Sequence, residues 1–242
     1  MSVIDEIPAR FWDMAEILVV DNCSTDNTLS EIESARESGR WPGPIQVIQP
    51  EKNLGYSGSQ KLVYKLVVSS EVVDRVLMLH GDGQYPPALL GLIEPHLDDP
   101  AGLVYGYRDK SSFPDEEETP RMTYWIIKTL SAIESAVTGH NRKEWHTGFV
   151  MYSKEFLSRV NLDALTDTYH IDGHLQFVSG ELDEPVKAIP IWKRYADYEQ
   201  LKGLNRLTYI VHVLRLMVQF RIQGWDAVLP GTEAPENFRI IK

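Results

Sequence analysis

The chain has 242 residues, of which 43% are hydrophobic and 24% charged, so it can build one large domain with a proper core. A formal net charge of −11 argues against a nucleic-acid partner, which would need a basic footprint, but leaves room for a nucleotide held through a metal ion. The single cysteine, Cys23, excludes an intramolecular disulfide and a cysteine-based zinc cluster, and suits a reducing cytoplasm.

Residues 1–20 lack the basic and apolar regions of a signal peptide. Within Glu16–Asp21, Ile-Leu-Val-Val has the continuous apolar character of a strand buried on both faces. It runs into Asp21-Asn22-Cys23-Ser24-Thr25-Asp26-Asn27-Thr28, a cluster of turn and cap residues. A helix follows with Leu29, Ile32 and Ala35 on one side; Thr28 and Glu31 are spaced as a capping box, and Gly39 is placed to stop it. A strand over Ile45–Ile48 leads through Asn53–Lys61 to a helix carrying Leu62, Val63, Leu66 and Val67. Strands alternating with helices at this spacing predict an α/β fold, a mainly parallel sheet with helices on both faces.

The next strand, Val76 to Leu79, ends at His80-Gly81-Asp82-Gly83-Gln84, before Pro86-Pro87 opens a helical pattern. Ligands of open α/β sheets bind beyond the carboxyl ends of strands. A carboxylate there, between two glycines, suits a divalent cation bridging to phosphate oxygens; Mg²⁺ typically takes one or two protein carboxylates. The same residues also suit a loop Asp bonded to its own turn. Ala88–Leu97 reads as a helix, Leu103–Tyr107 as a strand and Asp109–Pro120 as a solvated, charged loop. Met122–Val137 reads as a helix with an apolar stripe at Trp125, Ile126, Leu130 and Ile133. A strand follows Glu144-Trp145-His146-Thr147-Gly148, Ser153 caps another helix, and Val186–Trp192 is a last strand broken by Pro190. Leu204–Ile222 is a long helical pattern with a polar stripe, too interrupted to span a bilayer. It suits a helix packed on the domain, a homodimer interface or, given Arg206, Arg215 and Arg221, a peripheral contact with the cytoplasmic membrane surface.

Three motifs occur in one order: Val-Val-Asp-Asn-x-Ser-Thr-Asp-Asn-Thr, Asn-Leu-Gly-Tyr-x-Gly-x-Gln-Lys, and a strand ending in His-Gly-Asp-Gly-Gln-Tyr-Pro. Together they resemble the family 2 glycosyltransferases of GT-A fold, near the branch containing dolichyl-phosphate mannose synthase and bacterial polysaccharide transferases. The likeness continues through His146-Thr147-Gly148-Phe149 and His170-Ile171-Asp172, to about residue 200. It implies a transferase domain over 1–200, with 201–242 as a C-terminal helix and tail.

The resemblance implies that Asp21 and Asn22 contact the nucleotide and that Asn53, Gly55 and Lys61 line its pocket. Asp82 falls on the second acidic position of the family's DxD signature, implying Mg²⁺ or Mn²⁺ against a UDP- or GDP-type sugar nucleotide. His80 takes the first acidic position and removes a charge; it is a wall of the site or a second ligand, and imidazole suits Mn²⁺ better than Mg²⁺. Gln84 follows as in lipid-phosphate transferases, and Arg108, Arg121 and Arg194 stand near phosphate-contacting arginines, against the alternative of ordinary surface charges. The implied reaction is an inverting transfer in which the metal, helped by an arginine such as Arg121, stabilises the leaving diphosphate. A saccharide acceptor needs a base, with Asp172 the first candidate and Glu144 the second, although Asp172 also suits a helix cap; a lipid-phosphate acceptor needs none.

Family members begin with a strand ending in a Pro-x-Tyr-Asn-Glu type segment and a helix, and here only the tail of that helix is matched, by Ile4–Trp12. Losing an interior strand exposes two rows of backbone donors and acceptors unless the sheet rearranges. A catalytically silent GT-A-like domain serving a partner is therefore the alternative function. A nicotinamide dehydrogenase is disfavoured because no G-x-G-x-x-G follows a predicted strand.

Overall fold

The computed structural model describes residues 3–195, 204–223 and 238–241. A 3₁₀ turn over Val3–Glu6 and a single helical turn, α1 (Phe11–Met14), lead to strand β1 (Ile17–Val20), helix α2 (Thr28–Glu37), strand β2 (Ile45–Pro50) and helix α3 (Gly55–Ser69). Strand β3 (Arg75–Leu77), the short helix α4 (Leu90–Ile93) and strand β4 (Leu103–Arg108) follow. The second half comprises α5 (Arg121–Thr138), β5 (Val150–Ser153), α6 (Lys154–Ser158), α7 (Ile171–Glu181), β6 (Val186–Ile191), α8 (Leu204–Gln223) and β7 (Phe238–Ile241).

Local chemistry explains the helix ends. Gly39, at φ +65°, follows α2, a conformation that would strain any side chain with a Cβ. At the start of that helix the expected Thr28–Glu31 capping box does not form. Thr28 is already the first helical residue, and Asp26 Oδ1 accepts from its backbone N–H (3.0 Å) and its hydroxyl (2.5 Å). Ser153 caps α6 as expected, accepting at Oγ from the Phe156 N–H at 3.1 Å.

The α/β class is as expected, but the described pairing is mixed rather than mainly parallel. β1 pairs with β2, and β4 with β6, in parallel; β2–β7, β3–β5 and β4–β5 are antiparallel. In one sheet the reason is β5, which enters between β3 and β4 in the opposite sense after the long excursion through α5; in the other it is β7, which pairs antiparallel with β2. Pro190 sits in β6 opposite Tyr107; as an outer strand β6 tolerates the missing donor.

The strands form two sheets, ordered β1-β2-β7 and β3-β5-β4-β6. Their facing edges, β1 and β3, alternate in step. Ile17 and Val19 share one hydrophobic cluster with Leu77 and Leu79, around Phe11, Trp12 and Val47. Leu18 and Val20 share the opposite cluster with Val76 and Met78, around Tyr64, Trp145 and Tyr152. The edges therefore behave as parts of one layer with a slot between them, where the resemblance places its unmatched strand. All seven residues of these two strands are only half-buried, whereas Leu103–Gly106 of β4 are fully buried. A cleft of about 1870 Å³ takes in this slot and continues to Asp82.

Helix α5 turns the expected stripe around. Leu130 faces in, but Trp125, Ile126 and Ile133 are exposed, and the buried positions beside Leu130 are Ser131 and Glu134. Polar side chains fit there because they have partners: Ser131 Oγ accepts from the Trp145 N–H at 3.2 Å, and Glu134 meets two histidines. Val213 and Met217 of α8 pack into the main core, while Arg206 and Arg221 side chains lie outside the described residues. Among the described residues no helix is long and apolar enough to cross a membrane.

Candidate active site

The chain leaves β3 into a tight turn in which the Gly83 N–H reaches the His80 carbonyl at 3.3 Å. Asp82 Oδ1 accepts from the Gln84 N–H at 3.0 Å, and the carboxylate lines the cleft with Gly81, Gln84 and His80. The first requirement of the Asp82 reading is thus present: a carboxylate facing a cleft rather than the core. Hard oxygen donors in a solvent-open cleft fit a divalent cation whose shell substrate phosphate and water complete.

His80 is a wall of this site. Its ring packs against Gly148, where an added Cβ would lie 2.5 Å from Cε1, and against Tyr85 at 5.2 Å between ring centroids. Burial, only partly offset by the Asp82 carboxylate, pulls His80 down to about 4, so the ring is neutral at neutral pH. The Tyr56 hydroxyl donates to Asp172 at 3.1 Å and lies 3.2 Å from His80 Nε2. One phenol proton cannot serve both, so Nε2 carries the hydrogen in that contact, and a metal could reach His80 only through Nδ1.

The residues expected to contact the nucleotide come together, with different tasks. Asp21 is buried: Oδ1 accepts from the Ser24 N–H (3.3 Å) and Oδ2 from Gln49 Nε2 (2.5 Å). It holds the turn after β1, where Cys23 takes φ 61° and its thiol reaches the Pro50 carbonyl. Asn22 lines the cleft and clamps the second loop, donating to Asn53 Oδ1 (3.0 Å) and the Gly55 carbonyl (3.3 Å) and accepting from the Leu54 N–H (2.8 Å). Asn53 Oδ1 also accepts from the Gly55 N–H at 2.9 Å, and Gly55 lines the cleft. Lys61 faces away from this pocket, its Nζ bonded to the Leu165 carbonyl (2.7 Å) and Asp167 (2.6 Å).

The three arginines separate. Arg108 is buried and borders the cleft, but its Nε donates to Glu144 Oε1 at 2.8 Å, its backbone N–H to Oε2 at 2.9 Å, and Nη2 to the His146 carbonyl at 2.9 Å. Burial works against ionisation of Glu144, yet the guanidinium holds it below the ordinary glutamate value. Arg121 is exposed at the start of α5, outside the cleft lining. Arg194 pairs with Glu6 at 2.9 Å, also outside. The residue beside it, Lys193, is in the cleft with Nζ 4.6 Å from the Tyr85 centroid, and burial together with Arg108 lowers it to about 7. Lys193 follows a strand with no motif around it, so only the placement of β6 beside β4 reveals it.

Asp172, in the first turn of α7, is buried and lines the cleft. Its Oδ1 accepts from the Tyr152 hydroxyl (2.9 Å), and its Oδ2 from Tyr56 (3.1 Å) and Gln60 (3.4 Å). Burial outweighs these donors and raises it to about 6. Deeper along the cleft, Glu134 Oε2 lies 2.7 Å from His146 Nε2 and Oε1 3.1 Å from His170 Nε2. Nothing in the local sequence joins these three residues, which come from three separate segments.

The family profile described as Glycosyl transferase family 2 matches residues 2–160. No curated protein sequence matches the chain. Among solved structures, glucosyl-3-phosphoglycerate synthase from Mycobacterium tuberculosis in complex with Mn²⁺, UDP and glucosyl-3-phosphoglycerate is 17% identical, with 86% of this chain and 69% of that chain covered, at a TM-score of 0.56. The same enzyme with phosphoglyceric acid is 15% identical, covering 97% and 82%, at 0.60. A structure described only as a mycobacterial protein is 15% identical, covering 91% and 69%, at 0.62. With an α/β arrangement, a carboxylate at a strand tip in an open cleft, and a profile spanning most of its length, this chain belongs to glycosyl transferase family 2 and is a glycosyltransferase of GT-A fold.

Proposed function

We propose that the chain transfers a sugar, with inversion, from a UDP-sugar to a lipid phosphate. The observation that carries this reading is the pairing in one open cleft of Asp82 and Lys193, while both candidate base carboxylates accept from protein donors. Asp82 would hold Mg²⁺ or Mn²⁺, with Gln84 fixing its carboxylate; such a cation, when bound, offsets charge on the departing diphosphate. The UDP and Mn²⁺ in the mycobacterial neighbour support that donor and ion. Lys193 would take the phosphate-contacting role that the resemblance suggested for Arg108, Arg121 and Arg194. Asn22, Asn53 and Gly55 form the nucleotide side, with Asp21 bracing the turn beneath them.

The acceptor class follows from the carboxylates. Glu144 is committed to Arg108, and Asp172 accepts from three donors. An acceptor already ionised needs neither, which favours a phosphate over a sugar hydroxyl. Asp172 is then a positioning residue, holding Tyr56 against His80.

The test is the pH–rate profile of Asp172→Asn with polyprenyl phosphate, UDP-sugar and Mn²⁺. A phosphate monoester loses its second proton near pH 6, the range in which Asp172 itself titrates. If the acid limb belongs to the acceptor, the variant keeps the limb and loses rate through misplacement, by up to about a hundredfold. Disappearance of the limb, with transfer to soluble saccharides in the wild type, would make Asp172 the base and overturn the lipid-phosphate reading.

A second observation supports a lipid acceptor. Met122, Trp125, Ile126 and Ile133 of α5 are exposed, as are Val211, Leu214 and Val218 of α8, and Ile126 also borders the cleft. This apolar surface would meet the bilayer that carries the acceptor, as a peripheral contact. Flotation with phosphatidylcholine vesicles containing polyprenyl phosphate is expected to carry the chain, with about tenfold weaker partitioning for Trp125→Ser. A wild-type chain that stays at the bottom of the gradient would remove the membrane from this reading.

A further inference from the structure

The cluster behind the cleft has no part in the chemistry above, and its geometry is unusual for an ion pair. Glu134 comes from the inner face of α5, His146 from the segment before β5 and His170 from the residue before α7. Glu134 and His170 are buried, and the His146 side chain is nearly so, at 4% exposure. Four polar atoms meet there: both Glu134 oxygens and the Nε2 atoms of both histidines, and none makes a well-directed hydrogen bond. The nitrogens stand 2.7 and 3.1 Å from the oxygens. Buried polar atoms normally make well-directed hydrogen bonds, so four held at ion-pair distances without one suit a ligand shared between them.

The outer contacts favour a particular ligand. The Tyr209 hydroxyl of α8 lies 2.7 Å from His146 Nδ1 and 3.3 Å from His170 Nδ1. One phenol oxygen thus engages both rings on their far side and turns both Nε2 atoms toward Glu134. Hydrogen bonding at one imidazole nitrogen, which fixes the tautomer and orients the other, is what supports metal-ligating histidines. The ligand atoms of the three side chains all lie within 4.8 Å of one another.

We propose that Glu134, His146 and His170 bind a Zn²⁺-class transition-metal ion, at a site separate from the cation expected at Asp82. Two imidazoles and one carboxylate form a nitrogen-rich set that such ions accept, whereas Mg²⁺ and Ca²⁺ prefer oxygen throughout. Ligand distances of about 2.0–2.1 Å around a tetrahedral ion put neighbouring donors about 3.3 Å apart. The cluster reaches that spacing when its nitrogen–oxygen separations open by about 0.6 and about 0.2 Å and the widest pair, within 4.8 Å, draws in, a side-chain adjustment. His146, His170 and Tyr209 border the cleft, and a water would complete the fourth position. The ion ties together α5, the segments before β5 and α7 and, through Tyr209, α8, and so sets the inner wall of the cleft.

The test uses the whole chain, stripped with a chelator and equilibrated with Co²⁺ or Zn²⁺ before gel filtration. One equivalent is expected to stay bound in the wild type and in Asp82→Ala, and to be lost in Glu134→Gln and His170→Asn. The wild-type Co²⁺ form is expected to show the intense visible bands of a four-coordinate site, erased by one equivalent of Zn²⁺; this readout needs no variant to fold. Retention of less than about a tenth of an equivalent by the wild type would overturn the proposal. So would a six-coordinate Co²⁺ spectrum, loss of the ion in Asp82→Ala, or a full equivalent retained in a folded Glu134→Gln.

Discussion

Asp82→Ala is expected to lower the rate of sugar transfer by about 10²–10³, equivalent to about 2.7–4 kcal/mol of transition-state stabilisation. The size of the effect follows from how little else the turn offers. His80 stands where a second carboxylate would share the load, and burial keeps its imidazole neutral. Its Nε2 is taken by Tyr56, so the anionic contribution at the strand tip comes from one side chain. Raising Mn²⁺ should not restore the variant, because the lost group is the anchor rather than the ion's supply. Lys193→Met is expected to weaken the same step less, since half-burial and a pull down to about 7 leave this amine only partly charged at neutral pH. The measurement is release of nucleoside diphosphate from the UDP-sugar at saturating donor and metal. An alanine variant turning over within threefold of wild type would remove Asp82 from the reaction.

The second large effect is on stability and lies one strand away. Arg108 and Glu144 have side chains only 4% and 1% exposed, and the guanidinium and backbone of the first satisfy both oxygens of the second. Removing one partner strands the other charge in the core, and Arg108→Ala or Glu144→Ala is expected to cost about 3–5 kcal/mol. At this chain length that corresponds to a fall of about 6–20 °C in Tm. Replacing both, as Arg108→Met with Glu144→Leu, should recover much of the loss, because no isolated charge remains. Urea unfolding of the three variants checks this, and single losses below about 1 kcal/mol would show that the pair is solvated. The same commitment is why neither residue is free for the roles expected of it, phosphate contact for Arg108 from the resemblance and second-candidate base for Glu144.

What could be read from the residues in order, and what could not, divides along the range of the interactions. Strand tips were legible because short apolar runs ending in glycine and aspartate have few other solutions. The runs at Ile17–Val20 and Val76–Leu79 accordingly end at the turns holding Asn22 and Asp82. Ser153 and Gly39 were legible for the same local reason, since a cap or a left-handed stop involves only a few neighbouring residues. The Thr28–Glu31 box failed within that same range, because Asp26, two residues upstream, competed for the same donors.

Partners distant in the chain were decided only by packing. Lys61 stood in a loop that resembles a pocket lining and Arg108 near an expected phosphate contact, yet Asp167 and Glu144 claim their charges. Helix α5 shows the limit of periodicity: Trp125, Ile126 and Ile133 trace a stripe that faces out, while Glu134 is buried because His146 and His170 meet it there. Hydrophobic spacing records which side chains favour leaving water, but a buried carboxylate depends on partners 12 and 36 residues further along the chain. The sequence by itself therefore determined where most strands fall along the chain, the turn that carries Asp82 and the family; the sheet order and β7 (Phe238–Ile241) came only with the fold. The tertiary structure alone decided which polar groups remain available for chemistry, because desolvating a charge is tolerable only where the fold brings it a counterpart.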